Sequence, residues 1–115
     1  MDHPDPQTFL PLTAPEYNVL LALGDDALHG YAMMQSIEEQ SDGREALLPG
    51  TLYATIARMV QRGLLDEVDA PEGADRRRRY YRVSALGRGV ARAESARMQR
   101  LLGMARQQTW LTEEG

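Results

Sequence analysis

Four consecutive arginines, Arg76 to Arg79, are the residues of this 115-residue chain whose type and spacing point most directly to chemistry. Guanidinium groups bind phosphate oxygens through charge and paired hydrogen bonds, so such a run can contact a nucleic-acid backbone. Residues 1–75 hold 14 acidic residues and 3 arginines, a net charge of −11, whereas residues 76–112 hold 10 arginines and one acidic residue, a net charge of +9. The overall charge of −4 hides this cationic segment and is therefore only weak evidence against DNA binding.

Residue types that serve enzymes and metal sites are scarce in this chain. It has no cysteine, which excludes disulfides, thiolate metal sites and cysteine nucleophiles. The two histidines, His3 and His29, follow no pattern that would bring them together. Asp66, Glu67 and Asp69 follow one another along a predicted strand, but without a nearby histidine or nucleophile we interpret them as solvated residues. We therefore predict no catalytic residue, no metal site and no cofactor.

Nothing in the sequence indicates a membrane protein. No apolar run approaches the ~18 residues of a membrane-spanning helix, and the acidic, proline-rich amino terminus does not resemble a signal peptide. We expect a single domain in the cytoplasm, without a membrane partner. All 13 basic residues are arginine, a bias that a GC-rich bacterial genome would produce by itself.

A helix followed by a β-hairpin is predicted around the arginine run. Apolar residues in the segment 48–62 recur at i, i+4, i+7 and i+8, which is one stripe of an amphipathic helix. Pro49 suits the first turn of that helix, and Gly63 suits the position just past its end. The stripe contains Leu52, Ile56, Met59 and Val60, and the strands contain Leu64, Leu65 and Val68, then Tyr80, Tyr81 and Val83.

The other face of this helix carries short, polar or cationic side chains, which can approach base edges and phosphates. A helix followed by a hairpin with a basic rim is typical of a winged helix that binds DNA. The alternative is an amphipathic helix packed on a hairpin, with the arginines as a solvated face. The outward residues would be Thr51, Thr55, Arg58, Gln61 and Arg62, with Tyr53 and Ala54 near the edge.

Two more helices are predicted before this unit. Residues 13–16 form a capping-box sequence with proline in the first turn, so a helix should run from there to about residue 23, with Leu21 among its buried positions. A second helix should span residues 29–40, and a glycine-containing turn joins it to the next, as in a helix-turn-helix. Tyr31 near its start could meet a phosphate, although packing of the ring in the core is the alternative. The expected fold class is mainly α with a small β-hairpin.

One long helix is predicted from Ala85 to about Thr109, with Ser84 as its cap. Its apolar face is wider than a small domain can cover, which favours pairing with a second chain; folding back onto its own core is the alternative. We expect a homodimer through Leu86, Val90, Ala93, Leu101 and Met104, together with Phe9 and Leu10, which could dock on a neighbouring helix. The expected segments are a disordered lead-in (1–10), a winged helix-turn-helix (11–84), a dimerisation helix (85–110) and a tail (111–115).

Three blocks of the sequence, in this order, resemble the PadR-type transcriptional regulators. They are LHGYAMMQSI, LPGTLYATIARMVQRGLL and RRRRYYRVSALGR, within a resemblance that extends from Leu12 to about Gln108. The middle block is the most specific, because GTLY is followed by a helix that ends in RGL. Leu48 departs from the pattern, since members often have a polar helix cap there. The C-terminal region is also short, so effector binding by an added domain is not expected.

The resemblance implies a winged-helix fold, a homodimer built through the C-terminal helix and repression of nearby promoters. Its implied partners are double-stranded DNA and, in some relatives, a small-molecule effector. The alternative function is a winged-helix protein-interaction module whose arginines meet an acidic partner. On the resemblance, DNA would be contacted by Thr51, Tyr53, Ala54 and Arg58 of the recognition helix, by Arg76, Arg77, Arg78 and Arg79 of the wing, and by Tyr31.

Overall fold

The computed structural model describes residues 4–112, and it confirms a mostly helical chain with one antiparallel hairpin. After a short 3-10 helix (Pro6–Phe9), the elements are α1 (Ala14–Leu23), α2 (Gly30–Gln40), α3 (Pro49–Gln61), β1 (Leu65–Val68), β2 (Tyr80–Val83), α4 (Ala85–Ala105) and α5 (Thr109–Thr112). The long C-terminal helix therefore ends four residues earlier than expected. Within residues 4–112, no helix is both long and apolar enough to span a lipid bilayer.

Local signals in the sequence explain where most helices begin. At α1 the Thr13 N–H donates to Glu16 Oε1 at 2.8 Å, and the Glu16 N–H donates to Thr13 Oγ1 at 3.2 Å, which is the predicted capping box. Ser84 caps α4 by accepting the Gly87 N–H at 3.0 Å. Leu48 precedes α3 and makes no capping hydrogen bond through its side chain, as its apolar nature predicts.

The hydrophobic core lies between α1, α2, α3, the hairpin and the first half of α4. Apolar residues from each of these elements are almost completely buried there, because their spacing places them on one face of each helix. In α1 the expected burial of Leu21 is wrong, since this side chain faces solvent. The largest of the fully buried apolar residues are Leu23, Met33, Leu52, Met59, Leu64, Leu65, Val19 and Val90.

Two buried glutamates connect distant parts of the chain. Glu16 on α1 pairs with Arg62 at the end of α3, with 3.1 Å between Oε2 and Nη1. Glu94 on α4 accepts the Leu12 N–H at 2.8 Å and also pairs with Arg97. These bonds lower the pKa of Glu94, chiefly through Arg97, although burial opposes the shift. Glu94 therefore stays ionised, and its hydrogen bond with the Leu12 N–H connects the start of the domain to α4.

The amino-terminal segment differs from the disordered lead-in that the sequence suggested for residues 1–10. Residues 6–9 form the 3-10 helix, which packs against α4, while residues 1–3 lie outside the described part of the chain. Asp5 caps the short helix by accepting the Gln7 N–H at 2.9 Å. The Arg62 guanidinium lies 4.9 Å from the centre of the Phe9 ring, a cation–π contact. Apolar contact with α4 therefore orders a segment whose composition suggested disorder.

The β-hairpin is held by the neighbouring loop as well as by its own pairing. Its register pairs Leu65 with Val83 and Val68 with Tyr80. On the open edge of β2, Leu28 exchanges two backbone hydrogen bonds with Tyr81, at 3.0 and 3.1 Å. The loop before α2 is thereby fixed against the second strand.

Candidate nucleic-acid interface

Helix α3 presents a face of mostly small and polar side chains to solvent. Leu52, Ile56 and Met59 of the predicted apolar stripe are buried, whereas Val60, its fourth member, is exposed at the helix edge. Opposite them, small residues at positions 50, 54 and 57 leave the backbone accessible. A helix with such a face can approach a DNA groove closely, and its polar neighbours can then contact base edges. Thr51, Tyr53, Ala54 and Arg58, the predicted recognition residues, are all exposed.

Thr55 does not belong to this outer face, contrary to the interpretation of the sequence. Its exposed fraction is 1%. The buried hydroxyl donates to the Thr51 carbonyl oxygen at 2.7 Å, so its polar atom is satisfied within the helix. This bond explains how a polar residue at the edge of the stripe can enter the core.

Tyr53 lies on the side of α3 that faces α2. Its ring packs directly over Gly30, the first residue of α2, and a methyl group at Gly30 would lie 2.6 Å from Tyr53 Cε1. Only glycine leaves room for the ring in this position. The Gly30–Tyr53 contact therefore sets where the Tyr53 hydroxyl points on the outer surface.

The four arginines follow the hairpin turn, and all four are exposed. Asp75 accepts two side-chain hydrogen bonds from Arg77, from Nε at 3.1 Å and from Nη2 at 3.2 Å, as well as the Arg77 N–H at 2.9 Å. These bonds lower the pKa of Asp75, so its carboxylate remains charged. Part of the arginine charge is thus balanced locally, while no ion pair of Arg76 or Arg79 is found in residues 4–112.

Arg78 reaches back from the wing to the start of α2. Its Nη1 lies 3.2 Å from His29 Nδ1, and its guanidinium lies 5.8 Å from the centre of the Tyr31 ring. His29 Nδ1 also accepts the Ala32 N–H at 3.1 Å, which caps α2. The His29 ring meets the Tyr80 ring edge-on, with 5.5 Å between their centres. The spacing of the sequence does not reveal this cluster, because 49 residues separate His29 from Arg78.

The recognition helix, the wing and the start of α2 border one open cleft of about 690 Å³. Tyr31 and Tyr53 line it together with Arg78 and Arg79, so four of the nine predicted DNA-contact residues meet there. Ile56, Ala57 and Val60 of α3 contribute apolar side chains to its lining. Among the described residues, no group of three histidine, aspartate or glutamate side chains could hold a metal ion.

The predicted dimerisation residues fall into two groups. Leu101 and Met104 are exposed on the second half of α4, beyond the core. Leu86, Ala93, Phe9 and Leu10 are half-buried within the chain itself. The prediction that Val90 contacts a second chain is wrong. Its exposed fraction is 0%, and it packs in the core of the single chain, so it has no surface for a partner.

Comparison with known proteins agrees with this architecture. Residues 19–93 match the sequence model of the transcriptional regulator PadR-like family. The chain belongs to this family. An uncharacterized 37.1 kDa protein in transposon TN4556 of Streptomyces fradiae is 38% identical over 85 residues, which are 74% of this chain and 23% of that protein. The chain thus spans about a quarter of the length of this curated relative.

Solved structures share the winged-helix fold of this PadR-like chain at low sequence identity. A transcriptional regulator from Clostridium thermocellum has a TM-score of 0.70 and 19% identity, over 83% of this chain and 89% of that one. Bacillus subtilis PadR, solved in complex with operator DNA, has a TM-score of 0.61 and 16% identity, over 72% of this chain and 47% of that one. At these identities the similarity shows the fold, and the roles of individual residues must come from the geometry of this chain.

Proposed function

We propose that this PadR-like chain binds duplex DNA as a homodimer and represses nearby genes. The observation that supports DNA binding is the shared cleft, where exposed residues of α3 stand beside the arginines of the wing. A recognition helix flanked by cations can enter a major groove while the wing contacts phosphates. Tyr31, Thr51, Tyr53, Ala54 and Arg58, with Arg76 to Arg79, are the residues we assign to DNA contact.

A homodimer is proposed from the exposed apolar side chains near the carboxyl end. Large apolar residues that are grouped and exposed mark interaction surfaces more often than isolated ones do. A two-fold dimer would present two copies of α3 to successive major grooves, roughly 34 Å apart on one side of the duplex. The exposed group consists of Met98, Leu101, Leu102, Met104, Trp110 and Leu111.

Relief of repression by a small molecule is the third part of the proposal. The volume of the cleft, about 690 Å³, falls within the range of about 300–1,000 Å³ that is usual for ligand pockets. A ligand there would occupy the space beside Tyr53 and Arg78, so it would compete with DNA. Such a ligand can shift the regulator only through its preference for the DNA-free state.

DNA binding is tested by fluorescence-anisotropy titration of duplex DNA from upstream of the chain's own gene, with unrelated duplex as comparison, over a series of salt concentrations. Each lost phosphate contact reduces the slope of log K against log salt by about 0.9. We therefore expect Arg76→Ala/Arg79→Ala to flatten the slope by about 1–2, because neither arginine is neutralised by an ion pair in the described chain. Arg92→Ala/Arg106→Ala is the control, since it removes the same charge from exposed positions of α4 and its end. Equal slopes for both double variants would contradict the assignment of the wing.

The dimer is tested by sedimentation equilibrium. Leu101→Asp should shift the chain toward monomer and weaken DNA binding, because it places a charge in the proposed contact. Leu21→Asp is a matched control, since Leu21 on α1 and Leu101 have the same exposed fraction, 49%. A wild-type chain that is monomeric at micromolar concentration would refute the dimer. A wild type that binds neither duplex at low salt would refute the DNA proposal and favour a protein-interaction module.

A further inference from the structure

We propose that His29 is a positioning residue for DNA binding, whose neutral imidazole holds the Arg78 guanidinium in place for a phosphate. This inference rests on the proposed function, and it gives a role to a residue that would not itself contact DNA. It follows from the position of His29 between the wing and the start of α2. One ring nitrogen, Nδ1, faces both elements.

The backbone beside His29 is fixed, which makes the imidazole a stable support. Leu28 is bonded to Tyr81 through both its N–H and its carbonyl oxygen, at 3.1 and 3.0 Å. The imidazole then packs edge-on against Tyr80 of the same strand. Because Nδ1 accepts the Ala32 N–H at 3.1 Å, the ring has little freedom to turn. A side chain held on two sides and carried on a fixed backbone can orient a more flexible partner.

Arg78 is less exposed than its neighbour Arg77 and has partners on three residues. Its side chain is 46% exposed, whereas that of Arg77 is 90% exposed. It has His29 Nδ1 at 3.2 Å, Asp75 Oδ2 at 3.7 Å and the Tyr31 ring beneath it. An arginine that is already ordered in the free protein loses less conformational entropy when it meets a phosphate. The contact with His29 therefore favours binding although it adds no contact with DNA.

The arrangement needs the neutral form of His29. Nδ1 can accept hydrogen bonds from Ala32 and Arg78 only through its lone pair, and protonation replaces that lone pair with an N–H beside a guanidinium. Burial and the nearby charge of Arg78 lower the pKa of His29, while Asp75 opposes them. The titratable or charged residues around the His29 site are Tyr31 on α2, Tyr53 on α3, Glu67 on β1, Asp75, Arg78 and Arg79 after the turn, and Tyr80 and Tyr81 on β2.

Three substitutions at His29 separate the cap from the contact with Arg78. His29→Asn keeps both, because asparagine Oδ1 is as many bonds from the backbone as the imidazole Nδ1. His29→Ser keeps a good helix cap, but its oxygen is one bond closer to the backbone and does not extend toward Arg78. His29→Ala removes both. Since ordering one long side chain alters affinity by about three- to tenfold, that is the loss expected for His29→Ser.

The first experiment is a double-mutant cycle, with duplex affinity measured at pH 8 and fixed salt. His29→Ser should weaken binding about three- to tenfold in the wild-type background and by less than about twofold in an Arg78→Ala background. When combined with Arg76→Ala, which removes the same charge from the same arginine run, it should weaken binding by the full factor of about three- to tenfold. His29→Asn should bind like the wild type. A loss that persists with Arg78→Ala, or no loss at all, would overturn the proposal.

The second experiment is an NMR titration of the free protein, in which only His3 and His29 give imidazole signals. His3→Gln leaves the His29 signal alone. Arg78→Ala should raise the pKa of His29, because the nearest cation is removed, and Arg76→Ala should change it much less. Equal effects of the two arginine variants would overturn the pairing itself. If the wild type bound no duplex, the proposed function and the positioning role would both fail, while the NMR result would still decide whether the two side chains are paired.

Discussion

Replacement of Gly87 by alanine should destabilise the domain strongly. Gly87 lies in the first turn of α4, where that helix meets the base of the hairpin. A methyl group there would lie 2.1 Å from the Leu64 carbonyl oxygen and 2.8 Å from Val83 Cγ1. Carbon and oxygen atoms in favourable contact are about 3.3 Å apart, so the overlap exceeds about 1 Å. The Leu64 carbonyl cannot simply move, because it also accepts the Ser84 N–H at 3.0 Å.

The magnitude follows from these two effects. Forcing extra volume into a packed site costs about 1–3 kcal/mol, and loss of one backbone hydrogen bond costs about 1 kcal/mol. We therefore expect Gly87→Ala to lower the free energy of unfolding by about 2–4 kcal/mol, out of the roughly 5–15 kcal/mol usual for a domain. For a chain of this size the thermal midpoint should fall by about 10–20 °C.

The assay is urea and thermal unfolding followed by far-UV circular dichroism, at one protein concentration because a dimer would add concentration dependence. Gly89→Ala is the matched control in the same helix. A methyl group at Gly89 would meet Pro6 Cγ at 3.2 Å, a contact that a small shift relieves. Its stability should stay within about 1 kcal/mol of the wild type, because better helix propensity offsets the crowding. If both variants were equally stable, the close packing of Gly87 would be refuted.

Three further predictions concern other elements. Gly30→Ala should displace the Tyr53 ring, weakening duplex binding severalfold in anisotropy while changing stability by less than about 1 kcal/mol; unchanged binding would argue against a DNA contact by Tyr53. Because the folded pKa of Glu94 lies below its usual 4.5, its pairing with Arg97 stabilises the fold above that pH and is lost as pH falls through the folded pKa. The free energy of unfolding should therefore fall less with decreasing pH in Glu94→Gln than in the wild type. The same dependence on pH in both proteins would contradict this. Leu48→Asp should supply the missing cap of α3 and raise the free energy of unfolding in urea by about 0.5–2 kcal/mol. An unchanged free energy of unfolding would contradict this prediction.

The sequence predicted the helices and strands well because their signals are local. The capping box at residues 13–16, Gly63 after α3 and Ser84 before α4 each act within a few residues of the backbone they terminate. Gly63 has φ of +81°, a conformation that glycine adopts readily. The order of helix, strand, turn, arginine run and strand then indicates a winged helix without reference to any tertiary contact.

Features that depend on distant contacts were not predictable. The apolar stripe of α4 runs from Leu86 to Met104 with Arg97 interrupting it. Val90 is nevertheless buried and Leu101 exposed, because the core of the chain ends between them. Sequence periodicity shows which side of a helix is apolar, but not how far its neighbours extend. Glu94 is completely buried for a similar reason, since the backbone group that it binds, the Leu12 N–H, is 82 residues away.

The first half of α4 connects the proposed dimer surface rigidly to the proposed DNA surface. Ser84 Oγ donates to the Gly63 carbonyl oxygen at 2.6 Å, Gly87 packs on Leu64, and Glu94 holds the Leu12 N–H. These contacts leave little freedom between α4 and the unit that contains α3. If two chains pair through the exposed second half of α4, the crossing angle of the two helices therefore sets the separation of the two recognition helices. A ligand or substitution that changed this angle would change DNA affinity without touching a residue of the cleft.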